Sequence, residues 1–147
     1  MPDPSPLRPD NDWYHAMADR YGDAVPPLEH LRIRRGLQVI VDDLFHDLNI
    51  ANRLRACRLH GITTRYAGFV VIDIRYSDRE TEADRRMCNR IVERAQERLC
   101  EACEHCGRPG EIIAKIGLEA LLDDPDAALG DRFLCTECHQ NWSADDI

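Results

Sequence analysis

The sequence predicts an α+β fold in which N-terminal helices pack on a small antiparallel sheet, and a long helix leads into a four-cysteine module of zinc-ribbon or treble-clef type. Three observations support this class. Apolar residues recur at helical spacing between residues 37 and 48, they alternate with polar residues between 69 and 76, and two C-x-x-C pairs follow a second amphipathic segment. The 147 residues suffice for one domain with a small core.

Residues 1–27 are predicted to form a flexible leader that contains one short helix. Four prolines lie within the first nine positions, and proline fixes φ and lacks an amide donor. The stretch WYHAMADRYGD favours a helix that ends at Gly22, after which Pro26 and Pro27 redirect the chain.

Residues 28–100 are predicted to form the α+β core, which begins with an amphipathic helix. We expect a second, shorter helix after it, capped by Asn49, with Ile50, Leu54 and Cys57 facing inward and Gly61 at its end. The apolar stripe of the first helix consists of Leu37, Ile40, Val41, Leu44, Phe45 and Leu48.

A strand and a long helix are predicted to complete this core. The alternation from residue 69 to 76 favours a strand, with residues 62–66 as its hairpin partner around Gly68. Ser77 or Asp78 is expected to cap a helix from about residue 80 to residue 100. The predicted buried stripe of this helix comprises Met87, Cys88, Ile91, Val92, Ala95 and Leu99.

Residues 101–147 are predicted to form a zinc-binding module with an acidic loop. Cys103 and Cys106 form one C-x-x-C pair, Cys135 and Cys138 form a second, and each pair aims two thiolates at one tetrahedral ion. The chain has seven cysteines and neither a signal peptide nor a long apolar run, which favours a reducing, cytoplasmic location and metal binding over disulfides. We therefore expect one structural Zn²⁺ and no membrane association.

Two alternative ligand sets remain open at this stage. Cys100 lies three residues before Cys103, so these two residues form an alternative first pair, although the glycine that follows Cys106 favours the later one. His105 and His139 are adjacent to predicted ligands, and either one is a possible substitute for a cysteine.

Charge is distributed unevenly along the chain, whose formal net charge is −8. Residues 31–68 contain seven arginines against three acids, whereas residues 101–147 contain eleven acids against three basic residues. Acids gathered on one small module favour a protein partner with a basic surface. The candidate partner-binding residues lie between the cysteine pairs and are Asp123, Asp124, Asp126 and Asp131.

The long helix carries an arginine at every fourth position. Residues at this spacing form one ridge, which we call the arginine ridge, and glutamates at 82, 93 and 97 are placed to pair with it. A phosphate-binding ridge, and with it nucleic-acid binding, is the alternative to an ion-paired surface. The ridge consists of Arg86, Arg90, Arg94 and Arg98.

The segments RYAGFVVIDIRY, CEHCGRPGE and LCTEC resemble the C-terminal half of a loosely defined set of small phage and bacterial proteins with a C-x-x-C-G-x-P-G and L-C-x-x-C zinc motif. The resemblance covers about residues 65–138. It implies a zinc module and a mobile-element context, and thus an inhibitor, immunity factor or regulator. The chain departs from this pattern in its long acidic link, LEALLDDPDAALGD.

Two further resemblances suggest other functions. The helix before Cys103 is similar to that of the DksA/TraR type of RNA-polymerase regulator, but a strand pair stands where that family has its first long helix. The LCTECHQNW segment resembles HNH nucleases, which carry a catalytic histidine between their cysteine pairs, whereas residues 107–134 contain none. No nucleophile–base pair, paired carboxylates or phosphate loop stands out, so we predict a protein that is not an enzyme.

Overall fold

The computed structural model describes residues 9–51, 57–66, 69–76, 81–114 and 132–145. These residues form four α-helices, a three-stranded sheet and a two-stranded sheet, which confirms the α+β class. The helices are α1 (Asn11–Tyr21), α2 (Gln38–Ile50), α3 (Glu82–Glu101) and α4 (Thr136–Asp145). The strands are β1 (Leu31–Arg32), β2 (Cys57–Tyr66), β3 (Phe69–Tyr76), β4 (Ile112–Ala114) and β5 (Arg132–Leu134).

Helix α1 forms where the sequence predicts it and packs on the core. Asp10 caps its first turn by accepting a hydrogen bond from the Asp12 amide at 3.0 Å, and Gly22 follows its last residue with φ of 60°. Met17 is buried, and the Trp13 indole donates to Asp42 of α2 at 2.8 Å. The short predicted helix α1 is therefore joined to α2 by a side-chain hydrogen bond.

Helix α2 buries the apolar stripe that the sequence predicts for it, but residues 57–61, expected to belong to a second helix, form part of a strand. Asn49 lies inside α2 rather than at a cap, Ile50 is 70% exposed, and Leu54 lies outside the described residues. Cys57 opens strand β2. The buried residues from 57 to 59 alternate with exposed ones, which is the period of a strand.

The three-stranded sheet is mixed rather than wholly antiparallel. Strands β2 and β3 form the predicted antiparallel hairpin, whereas β1 pairs with β2 in parallel. Helix α2 supplies the crossover that a parallel pair requires. Gly61, expected to end a helix, lies within β2 at a register irregularity, where a Cβ atom would approach the His30 carbonyl oxygen to 2.8 Å.

Helix α3 occupies the predicted segment, with two differences in detail. Its N-cap is Thr81, whose hydroxyl accepts from the Asp84 amide at 3.2 Å, while Ser77 and Asp78 lie outside the described residues. Met87, expected inside, is 44% exposed, because the buried stripe follows Cys88 instead. The other fully buried residues of the helix are Ala95 and Leu99.

The outer edge of β3 is covered by one side chain of α3. The Gln96 amide oxygen accepts a hydrogen bond from the Ile72 backbone at 2.9 Å, and its amide nitrogen donates to the Val70 carbonyl. These are the two backbone groups that a neighbouring strand would use. Gln96 thus satisfies part of an edge that would otherwise be open to strand addition.

The remaining elements, β4, β5 and α4, follow the end of α3 and surround the cysteines. None of the helices within the described residues has both the length and the apolar content that a membrane span requires. The division of the chain at residues 27 and 100 stays a prediction.

Candidate metal centre

The first cysteine pair lies in a tight turn directly after α3. The Gly107 amide donates to the Cys103 carbonyl at 2.9 Å, and the Cys103 amide donates to the Arg108 carbonyl at 2.6 Å. Gly107 has φ of 83°, a left-handed conformation that glycine adopts without strain. This turn, residues 103–107, is called the cysteine turn below, and it brings Cys103 and Cys106 to the same side of the chain.

The second pair lies at the start of α4, after the β4–β5 hairpin. Cys135 directly precedes the helix and Cys138 lies in its first turn, where the Cys138 amide points to the Cys135 sulfur at 3.4 Å. Within the described residues, a turn, an antiparallel strand pair and a helix thus surround the cysteines.

The four sulfurs converge on one point. One ligand atom from each of Cys103, Cys106, Cys135 and Cys138 lies within 4.8 Å of the others, close enough to bind a metal ion. The sulfurs of Cys106 and Cys135 are 3.7 Å apart. A tetrahedral ion with metal–sulfur bonds of about 2.3 Å places its ligands about 3.8 Å apart, so the donor set fits such an ion.

Burial and hydrogen bonding give the thiols different acidities. Burial raises the pKa of Cys103 and that of Cys138. Burial also opposes ionisation of Cys106, but hydrogen bonds from Arg108 and from neighbouring thiols outweigh it and lower the Cys106 pKa to about 6. The Arg108 guanidinium lies 3.5 Å from the Cys106 sulfur and 2.9 Å from Glu137 of α4, so one arginine contacts both halves of the site.

The structure selects among the ligand sets that the spacing leaves open. Among the described residues, the group close enough to share one ion contains the four cysteines alone, without His105 or His139. Cys100 faces the sheet instead, with its sulfur 3.4 Å from the Val70 carbonyl oxygen and 3.3 Å from the Gln96 amide nitrogen.

The cysteine turn packs tightly on the segment that precedes α2. The Gly36 amide donates to the Glu104 carbonyl at 3.1 Å. A Cβ atom on Gly36 would meet that carbonyl oxygen and the His105 carbonyl carbon, each at 2.5 Å, and one on Gly107 would meet the Gly36 oxygen at 2.6 Å. Two glycines far apart in sequence therefore allow the two backbones to touch.

Glu104, between the two cysteines of the turn, is a buried acid that no pattern in the sequence singles out. Only 4% of it is exposed, and it accepts a hydrogen bond from the Phe133 amide at 2.5 Å. Its carboxylate also lies 4.0 Å from the guanidinium of Arg34, which is buried as well. Glu104 thus joins the turn, strand β5 and the core, and its position between two ligands was the only available signal.

The other predicted site residues have separate positions. All four arginines of the arginine ridge are exposed on α3. Arg86 pairs with Glu82 at 3.3 Å as predicted, whereas Arg98 pairs with Asp43 of α2 at 2.9 Å. The other two ridge arginines, and the glutamates at 93 and 97, form no ion pair within the part of the chain that the structure describes. The predicted partner-binding aspartates, which lie outside that part, are Asp123, Asp124, Asp126 and Asp131.

Comparison of the chain with protein-family models, with curated proteins and with solved structures finds no match.

Proposed function

We propose that the protein is a non-enzymatic binding module whose C-terminal part folds around one structural Zn²⁺, and that it acts by engaging a protein partner. The observation that carries the zinc proposal is the convergence of four cysteine sulfurs within 4.8 Å. Four cysteines complete a tetrahedral shell, leaving no position for water or substrate, which is typical of structural zinc. An all-sulfur tetrahedral donor set suits Zn²⁺ well.

The composition of the C-terminal core supports a structural role for the metal. Among the described residues, the buried cluster there consists of three cysteines and Leu134, with Cys106 packed against it. Within this described cluster one leucine supplies little hydrophobic stabilisation, so a metal ion bound by the four sulfurs would add most of its cohesion. Binding of the metal then provides folding free energy that this small lobe otherwise lacks.

Metal analysis of anaerobically purified protein tests the zinc proposal. We expect one zinc per chain in the wild type and none after Cys106→Ser or Cys135→Ser. The matched controls are Cys57→Ser and Cys88→Ser, which change buried cysteines outside the cluster and should keep the metal. Wild-type protein without stoichiometric zinc would contradict the proposal.

The charge of the C-terminal segment supports the choice of partner. Residues 101–147 contain eleven acids against three basic residues. Such an excess of like charge adds little to internal stability and favours association with a basic surface. The resemblance of the zinc motif to small phage and bacterial proteins supports the narrower proposal of a mobile-element inhibitor, immunity factor or regulator in the reducing cytoplasm.

Affinity capture from the native host tests the protein partner, with captured proteins identified by mass spectrometry. Neutralising three aspartates of the predicted loop should weaken capture and flatten its salt dependence, with zinc content unchanged. The substitutions are Asp123→Asn, Asp124→Asn and Asp126→Asn. A control of equal charge change on the N-terminal segment should leave capture intact; it combines Asp19→Asn, Asp23→Asn and Glu29→Gln. Equal capture by the loop variant and the wild type at low salt would refute the role of the loop.

Nucleic-acid binding is the second candidate function, and it is favoured by the arginine ridge. Arg90 and Arg94 are exposed and form no ion pair within the described residues. Exposed arginines on one helix face bind phosphates through Coulomb attraction and bidentate hydrogen bonds. Electrophoretic shift of labelled DNA and RNA, with and without Arg90→Gln and Arg94→Gln, tests this candidate.

A further inference from the structure

The three-stranded sheet has one face on the helices and one face toward solvent. Leu31, Ile62 and Val70 are buried on the inner side, and their neighbours along the strands point the other way. We call the outer side the open sheet face. Its exposed charged and aromatic residues include Arg32, Arg58, Arg65, Phe69, Asp73 and Arg75.

The open sheet face is basic on an acidic protein. Four arginines stand on it against a single aspartate, whereas the whole chain has a formal net charge of −8. The average charge of the molecule therefore conceals a surface of opposite sign. Such a surface attracts anionic polymers even where the protein as a whole does not.

Two of these arginines stand directly opposite each other. Arg58 and Arg75 are cross-strand partners in the β2–β3 register, and both are exposed. The Cβ atoms of such partners lie about 5 Å apart, and like charges at this position destabilise a sheet. Within the described chain neither arginine forms an ion pair that would offset the repulsion. An external anion bound near both arginines would offset their repulsion.

Flat rings lie on the same face. Phe69 is 41% exposed, six residues along β3 from Arg75, which places the two about 20 Å apart. His60 is also exposed on β2, two positions from Arg58. Arginines and partly exposed rings spread along one surface are the elements that bind single strands, because the backbone carries phosphates and each unpaired base offers a flat surface for stacking.

We propose that the open sheet face binds single-stranded nucleic acid, with phosphates on Arg58 and Arg75 and a base stacked on Phe69. A double helix has its bases already stacked and offers no free base to the phenylalanine. The inference goes beyond the proposed function: it keeps nucleic-acid binding as the activity but places the site on the sheet, from observations that do not involve the arginine ridge. It is independent of the protein partner and of the acidic loop.

Fluorescence anisotropy with the full-length, metal-loaded protein tests this proposal. The probes are labelled oligothymidylate and oligouridylate of about 12 nucleotides, and a duplex of the same length. One variant combines Arg58→Gln with Arg75→Gln, and another is Phe69→Ala. The matched control is Arg90→Gln with Arg94→Gln, which removes the same charge from the arginine ridge. These side chains are exposed, so circular dichroism and zinc content should match the wild type.

We expect the single strands to bind more tightly than the duplex, with an affinity that falls as salt rises. Loss of two phosphate contacts should weaken binding about tenfold and reduce the slope of log K against log salt by about 1.4. Phe69→Ala should also weaken binding about tenfold, with little change in the salt slope. The ridge control should bind like the wild type.

Three results would overturn the inference. They are the absence of single-strand binding at low salt, preferential binding of the duplex, and a loss of binding in the ridge control that equals or exceeds the loss in the sheet variant. The last result would retain nucleic-acid binding and place it on α3. None of the three bears on protein capture, so failure here is distinguishable from failure of the protein-partner proposal.

Discussion

Replacing Gly36 with alanine tests the contact between the cysteine turn and the core. The added Cβ atom would lie 2.5 Å from the Glu104 carbonyl oxygen and from the His105 carbonyl carbon. Both are backbone atoms, which cannot move aside by a rotamer change. Because an ordinary contact of this kind is about 3.5 Å long, the turn has to shift by about 1 Å.

The expected loss of stability follows from three contributions. Overpacking costs about 1–3 kcal/mol. The Gly36 amide, now 3.1 Å from the Glu104 carbonyl, loses a hydrogen bond worth about 1 kcal/mol. Alanine lowers the conformational entropy of the unfolded chain, which stabilises the folded protein by about 0.4–1 kcal/mol. The net loss is about 2 kcal/mol, which lowers Tm by about 4–8 °C in a chain of this size.

Thermal unfolding and zinc competition with a chelator measure the two consequences. Gly36→Ala should lower both Tm and zinc affinity, because the displaced turn carries two ligands. Gly22→Ala is the control. Its φ of 60° with ψ of −133° imposes strain of about 1–3 kcal/mol, but no atom lies within 4 Å of the new carbon, so zinc affinity should not change. A Gly36→Ala protein with wild-type Tm and zinc affinity would refute the tight packing of the turn on the core.

Three further predictions concern the same region. Acidification from about pH 8 to about pH 6 should release zinc to a colorimetric indicator. The ion competes with protons for the thiolates, and burial raises the pKa of Cys103. A zinc affinity that does not depend on pH would contradict binding by thiolates. Glu104→Gln should lower the free energy of urea unfolding by about 2 kcal/mol, since it removes a buried charge that faces Arg34 and accepts a hydrogen bond from the Phe133 amide. Glu101→Gln at an exposed position should change it by less than about 0.5 kcal/mol. Arg108→Gln should weaken zinc binding about tenfold in chelator competition, and an unchanged affinity would show that its contact with a ligand sulfur is unimportant.

The elements predicted correctly are those with long periodic signals. The stripe of α2 repeats over three turns, and the alternation of β3 covers eight residues, so one period fits each clearly. The helix predicted for residues 57–61 was wrong because Ile50, Leu54 and Cys57 suit helical spacing while Cys57 and Leu59 suit a strand. Strand β1 has two residues and carries no period, so pairing with β2 alone defines it.

The same distinction applies to the candidate site. Two cysteines three residues apart are oriented by a single turn, so local spacing sufficed to predict which four cysteines lie close enough to bind one metal ion. The contact of Gly36 with the cysteine turn joins segments about 70 residues apart, and only the packed structure brings them together. Met87 illustrates a smaller failure: it and Cys88 are neighbouring apolar residues, and the packing of α3 decides which of them faces inward.

The position of Gln96 in the sequence determines how long the edge of β3 stays uncovered during translation. The residues that it covers, Val70 and Ile72, leave the ribosome more than twenty residues before it does. At about 5–20 residues per second, the β2–β3 hairpin waits for about one to five seconds with its outer edge unprotected. During that interval the strand is able to pair with a neighbouring nascent chain. Translation speed between β3 and the middle of α3 therefore influences how much of the protein aggregates before it folds.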